Sequence, residues 1–121
     1  MFPELNHFLP HEFDSPDLKG SHVHMDSGFL MNLDRARHIA NVPFIINSAY
    51  RTMEHNNLVG GIKDSSHLKG LAVDIKCVTS QQREKILFGL INAGFRRIGI
   101  GKNFIHVDSD YTKTVGVVWL Y

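Results

Sequence analysis

An aspartate in the middle of an apolar run is the feature that most constrains how this chain can fold. The segment "LAVDIKCV", 71–78, has the composition of a buried strand, with Asp74 at its centre. Placing a carboxylate in such a strand is costly unless another group pairs with it. His67 is a candidate partner, because Gly70 lies between the two residues and allows the backbone to fold back until both side chains reach one point.

The composition is that of an ordinary soluble globular protein. Of the 121 residues, 43% are hydrophobic and 21% are charged, whereas a disordered chain would be poorer in apolar groups and richer in net charge. The length predicts one domain over 1–121, large enough to bury a core without disulfides. The formal net charge of +1 favours neither nucleic acid nor an anionic membrane surface as a partner. We expect a monomer.

The amino-terminal stretch "MFPELNHFLPHEF" does not have the pattern of a secretion signal. It lacks both a basic leader and a long apolar core, and no run in the sequence has the length and apolarity needed to span a bilayer. We therefore expect no signal peptide in this chain and synthesis in the cytoplasm.

Histidines, not cysteines, are the candidate metal ligands. The single cysteine, Cys77, excludes a disulfide framework and a cysteine-based zinc site, and its apolar neighbours predict a buried thiol. Eight histidines are present. Because neutral imidazole is the commonest metal-binding side chain, this number favours a metal site without indicating which histidines form it.

Three segments have the periodicity and end signals of helices. Apolar residues at helical spacing predict a helix over 27–40, and a shorter helix follows at about 52–59, where two glycines end it. The clearest helix lies within 79–94, with a stripe of Ile and Leu side chains and Gly94 at its end. The N-cap candidates are Asp26 or Ser27, Thr52, and Thr79 or Ser80.

The remaining apolar runs predict strands. Residues 43–49 and 71–78 are typical of buried strands, and three more candidates follow at 95–101, 103–109 and 115–121. The first two of these three, joined through Gly-Lys, predict an antiparallel hairpin. Residues 1–25 predict an irregular arm with one short strand near "HEFDS". The fold class predicted is therefore α+β, with a small, mostly antiparallel sheet and helices packed on it.

A second histidine can join His67 and Asp74. The run "FIHVDS" places His106 on a predicted strand, and Asp108, two residues later, faces the same side. If the hairpin lies beside the strand of Asp74, the two histidines and the aspartate converge. Two imidazoles and one carboxylate without a thiolate are typical of a catalytic zinc site, in which the fourth position is left to water.

Ordinary structural roles can explain the same residue types. Most histidines are surface residues or hydrogen-bonded core residues, and a strand aspartate can cap a turn or pair with a lysine such as Lys76. His22 and His24 have the spacing of a strand face but no carboxylate pattern around them, so we interpret them as surface residues. Trp119 and Tyr121 are explained equally well by a position along a cleft and by packing in the core.

The run "SAYRT…SSHLKGLAVDI…FIHVD" resembles the M15 peptidases, zinc enzymes similar to the D-alanyl-D-alanine carboxypeptidases of the wider LAS group, which act on bacterial cell-wall peptides. The resemblance covers roughly 8–121. It implies a zinc cleft of the LAS/M15 type, with one Zn2+ per chain held by His67, Asp74 and His106. The family pattern Ser-x-His-x-x-Gly-x-Ala-x-Asp is met by Ser65, His67, Gly70, Ala72 and Asp74, and the later histidine by His106.

The resemblance also implies a substrate role for "NSAYRT". In this family, an arginine after a Ser-x-Tyr strand end holds a substrate carboxylate, which implies Arg51 here, with Tyr50 and Ser65 as further substrate-binding residues. A planar guanidinium grips a carboxylate through two hydrogen bonds, and lysine does not reproduce this geometry. The alternative is a surface arginine that pairs with Glu54.

The general base departs from the family pattern. Many members carry Asp or Glu three residues before the last zinc-binding histidine, where this chain has Asn103, and relatives with a His-x-His version differ at Phe104. An amide cannot take a proton from water. We predict that Asp108 fills the gap, either by accepting the proton or by orienting His106. Weaker candidates are Glu54, His55, His24 and Asp110.

Together these features predict a zinc metallopeptidase that hydrolyses peptidoglycan stem peptides, as a D,D-carboxypeptidase or an endopeptidase. The alternative is a zinc-bearing module that binds such peptides without cutting them, which the amide of Asn103 favours. Wall-directed chemistry without a signal peptide suggests a phage-derived or prophage-derived protein that is made in the cytoplasm and acts at the cell wall.

Overall fold

The computed structural model describes residues 2–121, so Met1, the first residue of the predicted arm, lies outside the described part. The helices are α1 (Ser27–Ala40), α2 (Met53–Leu58) and α3 (Ser80–Asn92). The strands are β1 (Ile46–Ser48), β2 (Ala72–Lys76), β3 (Arg97–Ile100), β4 (Phe104–Asp108) and β5 (Val117–Leu120). Two short 3-10 helices, Pro10–Phe13 and Ser21–His24, precede α1.

The strands form one five-stranded sheet in the order β1-β2-β4-β3-β5. Three of the four strand pairs are antiparallel, and only β3 and β5 run parallel. The hairpin predicted through Gly-Lys is the β3–β4 pair, and β4 lies directly beside β2. The predicted α+β class with a mostly antiparallel sheet is confirmed.

Helix ends follow the predicted capping signals. The side chain of Asp26 accepts a hydrogen bond from the Phe29 N–H at the start of α1, and Thr79 does the same for Gln82 at the start of α3. The Thr52 hydroxyl accepts from the His55 N–H at the start of α2. Each cap satisfies an N–H that would otherwise have no partner in the first turn, which explains why the three helices begin where they do.

One hydrophobic core joins α1 and α3 to one face of the sheet. Alternate residues of β2 and β4 are fully buried on this face, while the residues between them point to the opposite face. The core strand positions are Val73, Ile75, Ile98, Ile105 and Val107, and they pack with Phe29, Leu30, Leu33, Ile86 and Leu90 of the helices. Cys77 is a buried free thiol, as predicted.

The strand predicted near "HEFDS" is wrong. This segment forms the 3-10 helix Pro10–Phe13, because Pro10 lacks an N–H and the Glu12 carboxylate accepts from the Leu9 N–H at 2.6 Å, which stabilises a turn. The arm is also part of the core, since Phe8 and Phe13 are buried there. Among residues 2–121, no helix is long and apolar enough to cross a membrane.

Candidate metal site and cleft

Two neighbouring strands place Asp74 and His106 side by side. In the antiparallel β2–β4 pair, Asp74 lies directly opposite His106, so both side chains point to the face away from the helices. The His106 Nδ1 atom lies 2.9 Å from Asp74 Oδ1. The sheet register therefore assembles two of the three predicted metal ligands.

The third residue, His67, comes from a tight turn just before β2. Gly70 has φ +68°, a conformation that favours glycine, and a Cβ at this position would lie 2.1 Å from the His24 carbonyl oxygen. This turn directs His67 toward Asp74, with its Nε2 3.4 Å from Asp74 Oδ1. His67 is buried, and its N–H donates to the Ser65 hydroxyl.

The outer hydrogen bonds of the two imidazoles leave nitrogen lone pairs for a metal. His67 Nδ1 lies 2.7 Å from the Ala49 carbonyl oxygen. Because a carbonyl only accepts, Nδ1 carries a proton, and in the neutral ring Nε2 then faces Asp74 with a lone pair. His106 Nε2 lies 2.7 Å from Asp108 Oδ2, so a proton there leaves Nδ1 facing Asp74. One ligand atom from each residue falls within 4.8 Å of the others, and this donor set fits zinc.

Asp108 is held from several sides. It is 1% exposed, and its Oδ1 accepts from Arg97 Nε at 2.7 Å and from the Asp110 N–H at 3.0 Å, while Oδ2 faces His106. Burial acts against ionisation, but these hydrogen bonds outweigh it and lower the pKa of the Asp108 carboxyl. Of the two roles predicted for Asp108, this arrangement favours orientation of the His106 ring.

The charges at the site stabilise one another. Burial alone would lower the pKa of His106, but hydrogen bonds to Asp108 and Asp74 raise it above its ordinary value. Burial likewise opposes ionisation of Asp74, but its interactions with the neighbouring ring nitrogens of His106 and His67 hold its pKa well below the usual range. Asp74 is therefore an ionised carboxylate, and a positive charge placed beside it, such as a metal cation, stabilises it.

Arg51 lies beside this group and lines the same cleft. Its Nε donates to the Ser48 hydroxyl at 3.0 Å and its Nη1 to the Asn56 side-chain oxygen at 3.3 Å, and Nη2 lies 3.5 Å from Asp74 Oδ2. A guanidinium has more N–H donors than these three contacts use, so Arg51 can also bind a ligand. It pairs with Asp74 rather than with the exposed Glu54.

The predicted substrate residues beside Arg51 have different positions. Ser65 is buried and lines the cleft. Tyr50 packs its ring 5.0 Å from that of His24, and its N–H donates to the Phe13 carbonyl. Tyr50 is not part of the cleft wall.

The cleft has a volume of about 510 Å³ and an aromatic side. Its aromatic members are Phe104, Trp119 and Tyr121, and the Trp119 ring centroid is 5.6 Å from that of His106. Trp119 lies across Gly99, where a Cβ would come within 2.7 Å of its ring. Of the two positions that the sequence allowed for the terminal aromatics, the structure therefore favours the cleft.

The weaker candidates for a general base lie elsewhere. Glu54, His55, His24 and Asp110 do not line the cleft, and Asp110 is engaged by Ser66 and Lys69. Asn103 is exposed in the β3–β4 turn, also outside the cleft wall. An acidic side chain at position 103 would therefore not face the site in this fold.

Two buried residues at the site were not predicted from the sequence. Arg97 supports Asp108, and its guanidinium lies 5.0 Å from the centre of the Trp119 ring. Asn56 is fully buried and contacts Arg51. Arg97 could have been found by extending the hairpin register, because Ile98 pairs with Val107 and so Arg97 falls opposite Asp108. No comparable local signal marks Asn56.

A comparison with protein families gives a match. The sequence model of a family described as Peptidase M15 matches residues 8–108. This segment contains all three candidate metal ligands, Arg51 and Asp108. Among curated proteins, no sequence match was found.

Proposed function

The chain belongs to the peptidase M15 family, and on that premise we propose that it is a zinc-dependent metallopeptidase that hydrolyses peptide bonds of bacterial cell-wall peptidoglycan stem peptides, as a D,D-carboxypeptidase or an endopeptidase. The observation that carries the proposal is the convergence of His67, Asp74 and His106 on one point. The outer hydrogen bonds of the two imidazoles allow each neutral ring to turn an unprotonated nitrogen toward that point.

Each of the two proposed imidazole ligands has a partner that fixes its orientation. His67, Asp74 and His106 would hold one Zn2+ per chain. Bound there, zinc supplies Lewis-acid chemistry, which activates water and polarises a carbonyl oxygen. The Ala49 carbonyl and the Asp108 carboxylate hold the two imidazole rings in place, and such outer partners strongly affect metal affinity.

Arg51 provides the substrate contact. It lines the cleft next to Asp74 and has donors to spare, so a C-terminal carboxylate can approach it from the cleft. Ser65 adds a hydroxyl to the same wall. Tyr50 acts from behind the wall, where its N–H anchors the backbone next to Arg51 to the Phe13 carbonyl.

Asp108 acts mainly as a positioning residue in this proposal. Taking a proton from water would require its carboxylate to release His106 or Arg97, which hold it at 2.7 Å each. Its effect on the reaction therefore passes through the orientation of His106.

A peptide-binding module without hydrolysis is the second candidate. Asp74 and Asp108 are the carboxylates that line the cleft in the described part of the chain, and both are engaged by charged partners. A site in which neither carboxylate is free to take a proton could keep its metal and its Arg51 contact for recognition alone.

We further propose that the protein acts at the cell wall as a monomer, without a nucleic-acid or membrane partner, and that it has a phage or prophage origin.

The test is mass spectrometry of products after the zinc-loaded protein is incubated with peptidoglycan fragments. A chelated sample and the variants His67→Ala and Asp108→Ala are run in parallel, with Glu84→Ala, an exposed carboxylate on α3, as the matched control. Metal-dependent loss of D-alanine, or splitting of cross-linked dimers, supports the peptidase and identifies its bond. Intact fragments that bind the zinc-loaded protein, with affinity retained in Asp108→Ala, would establish the binding module instead.

A further inference from the structure

Asn56 is a buried polar residue that the proposed chemistry does not use. It lies in α2, is 0% exposed, and is surrounded by groups that engage both ends of its amide. Its Oδ1 accepts from Arg51 Nη1 at 3.3 Å, and its Nδ2 donates to the Ile62 carbonyl at 2.9 Å. The reverse orientation would set an amide N–H2 against a guanidinium and an oxygen against a carbonyl, so these two partners fix the amide orientation.

The backbone after α2 closes over this amide. The Gly61 N–H donates to the Asn56 carbonyl oxygen at 2.8 Å. A Cβ at Gly61 would lie 2.0 Å from Asn56 Oδ1 and 3.1 Å from Arg51 Nη1. Position 61 therefore has room only for glycine while Asn56 and Arg51 keep this arrangement.

The contacts of Arg51 show what this arrangement achieves. Ser48 holds Nε and Asn56 holds Nη1, so the guanidinium plane is fixed from two sides that are not ligand groups. Asp74, the third contact, belongs to the proposed metal site and is 3.5 Å away. Without Asn56, nothing would hold Nη1, and the guanidinium could turn further onto Asp74, so that fewer of its N–H groups would face a ligand.

We propose that Asn56 is a positioning residue that holds Arg51 in the orientation needed to bind a substrate carboxylate, and that the loop 59–62 on the cleft wall is tied to the same amide. This inference rests on the proposed function, in which Arg51 recognises a carboxylate. It assigns carboxylate selectivity to a residue that does not touch the ligand itself. A misplacement of about 1 Å in such a clamp can reduce a rate by about 100-fold.

The experiment compares two ligands that differ only at the recognised group. An acylated stem-peptide mimic that ends in D-Ala-D-Ala is prepared with a free carboxylate and as the C-terminal amide. Binding of both is measured by calorimetry on the chelated protein, which removes turnover, and kcat and KM are measured on the zinc-loaded protein. The variant Asn56→Leu removes both amide contacts, and Asn57→Ala, on the exposed neighbouring asparagine, is the matched control.

We expect the unmodified protein to prefer the carboxylate by about tenfold or more, since hydrogen bonds to charged groups are the strong ones. Asn56→Leu should reduce this preference to about threefold or less, raise KM for the carboxylate peptide, and leave affinity for the amide nearly unchanged. Asn57→Ala should keep the full preference. If Asn56 had only a structural role, its loss would weaken the binding of both peptides alike. The ratio of the two affinities therefore separates a positioning role from a structural one.

A second variant keeps the inference testable if Asn56→Leu folds poorly. Gly61→Ala keeps Asn56 in the sequence but forces its amide to move, because the added Cβ would lie 2.0 Å from Asn56 Oδ1, so this variant should lose the preference for the carboxylate. If a folded Gly61→Ala protein keeps the full preference, the amide does not hold Arg51, and the inference is overturned.

The result for the unmodified protein distinguishes the two levels of proposal. If it does not prefer the carboxylate peptide, the proposed use of Arg51 fails, together with the inference built on it. If it prefers the carboxylate and Asn56→Leu retains that preference, the use of Arg51 stands and only the role of Asn56 is refuted.

Discussion

Removal of the Arg97 guanidinium should show how much the buried ion pair between Arg97 and Asp108 contributes to the stability of the protein. In Arg97→Met the aliphatic length is nearly kept, but Asp108 loses its 2.7 Å contact, the Thr114 carbonyl loses its donor, and Trp119 loses a cation over its ring. In the unmodified protein Asp108 is 1% exposed, so the substitution leaves its carboxylate in a buried position. The variant therefore tests a buried carboxylate from which one partner has been taken.

The magnitude follows from the remaining contacts. Breaking a buried ion pair by removing one partner costs about 3–5 kcal/mol. Asp108 keeps His106 and the Asp110 N–H, so we expect a loss at the lower end, about 3 kcal/mol in the free energy of unfolding. For a chain of this size, that corresponds to a fall in Tm of about 12 °C.

The assay is thermal and denaturant unfolding of the chelated protein, followed by circular dichroism. Arg96→Met is the matched control, because Arg96 is the neighbouring arginine and is exposed. The double variant Arg97→Met/Asp108→Asn should lose at least about 1 kcal/mol less than the sum of the single variants, since the two side chains are in contact. Equal losses in Arg97→Met and Arg96→Met, or strict additivity with Asp108→Asn, would show that the ion pair contributes nothing.

Three further outcomes are expected. Zinc should raise the Tm of the unmodified protein and not that of His67→Ala, because a ligand that binds only the folded state stabilises it; an equal rise in both would exclude His67 as a ligand. Burial raises the pKa of Asp110, but hydrogen bonds from Thr112, Lys69 and Ser66 outweigh this effect and lower the pKa below its value in the unfolded chain. Asp110→Asn should therefore lower the free energy of unfolding by about 2 kcal/mol at pH 7. A carboxyl group whose pKa is lower in the folded than in the unfolded protein stabilises the fold above its unfolded pKa, and this stabilisation is lost as the pH falls. The difference in the free energy of unfolding between the unmodified protein and Asp110→Asn should therefore narrow below about pH 4. A difference that stays constant in acid unfolding curves would refute this prediction. Gly99→Ala should displace the Trp119 ring, which its Cβ would approach to 2.7 Å, and quench or shift tryptophan fluorescence, whereas an unchanged emission spectrum would mean that the ring does not move.

The candidate metal residues could be predicted because the information is local. Strand alternation puts His106 and Asp108 on one face, and the spacing from His67 to Asp74 needs only the turn at Gly70. The prediction included one non-local step, because the three residues converge only if β4 lies beside β2. The structure has this strand pair. Helix ends were equally local, since each depended on a cap residue and the helical periodicity that followed it.

The parts that were not predicted depend on contacts between distant segments. Phe8 and Phe13 lie in a stretch without periodicity, and only tertiary packing shows that they belong to the core. The predicted strand over 43–49 is limited to Ile46–Ser48, which begins after Pro43, a residue with no N–H to donate to a sheet. The role of Asn56 depends on Arg51 and Ile62, neither of which marks it in the sequence.

The register of β2 against β4 explains how an apolar core can specify a polar site. Val73 pairs with Val107 and Ile75 pairs with Ile105, and all four side chains are 0% exposed on the helix face. A slip of β4 by one residue would turn Ile105 and Val107 toward the cleft and bring His106 and Asp108 into the core. Exposing these two aliphatic side chains would cost about 1.5–3 kcal/mol each, and burying a carboxylate in the apolar core would add a further penalty. Together these costs are at least comparable with the total stability of a small domain at its lower end, about 5 kcal/mol. The alignment of Asp74 with His106 on the opposite face is therefore fixed by hydrophobic burial before any metal binds, and the polar residues need only supply the chemistry.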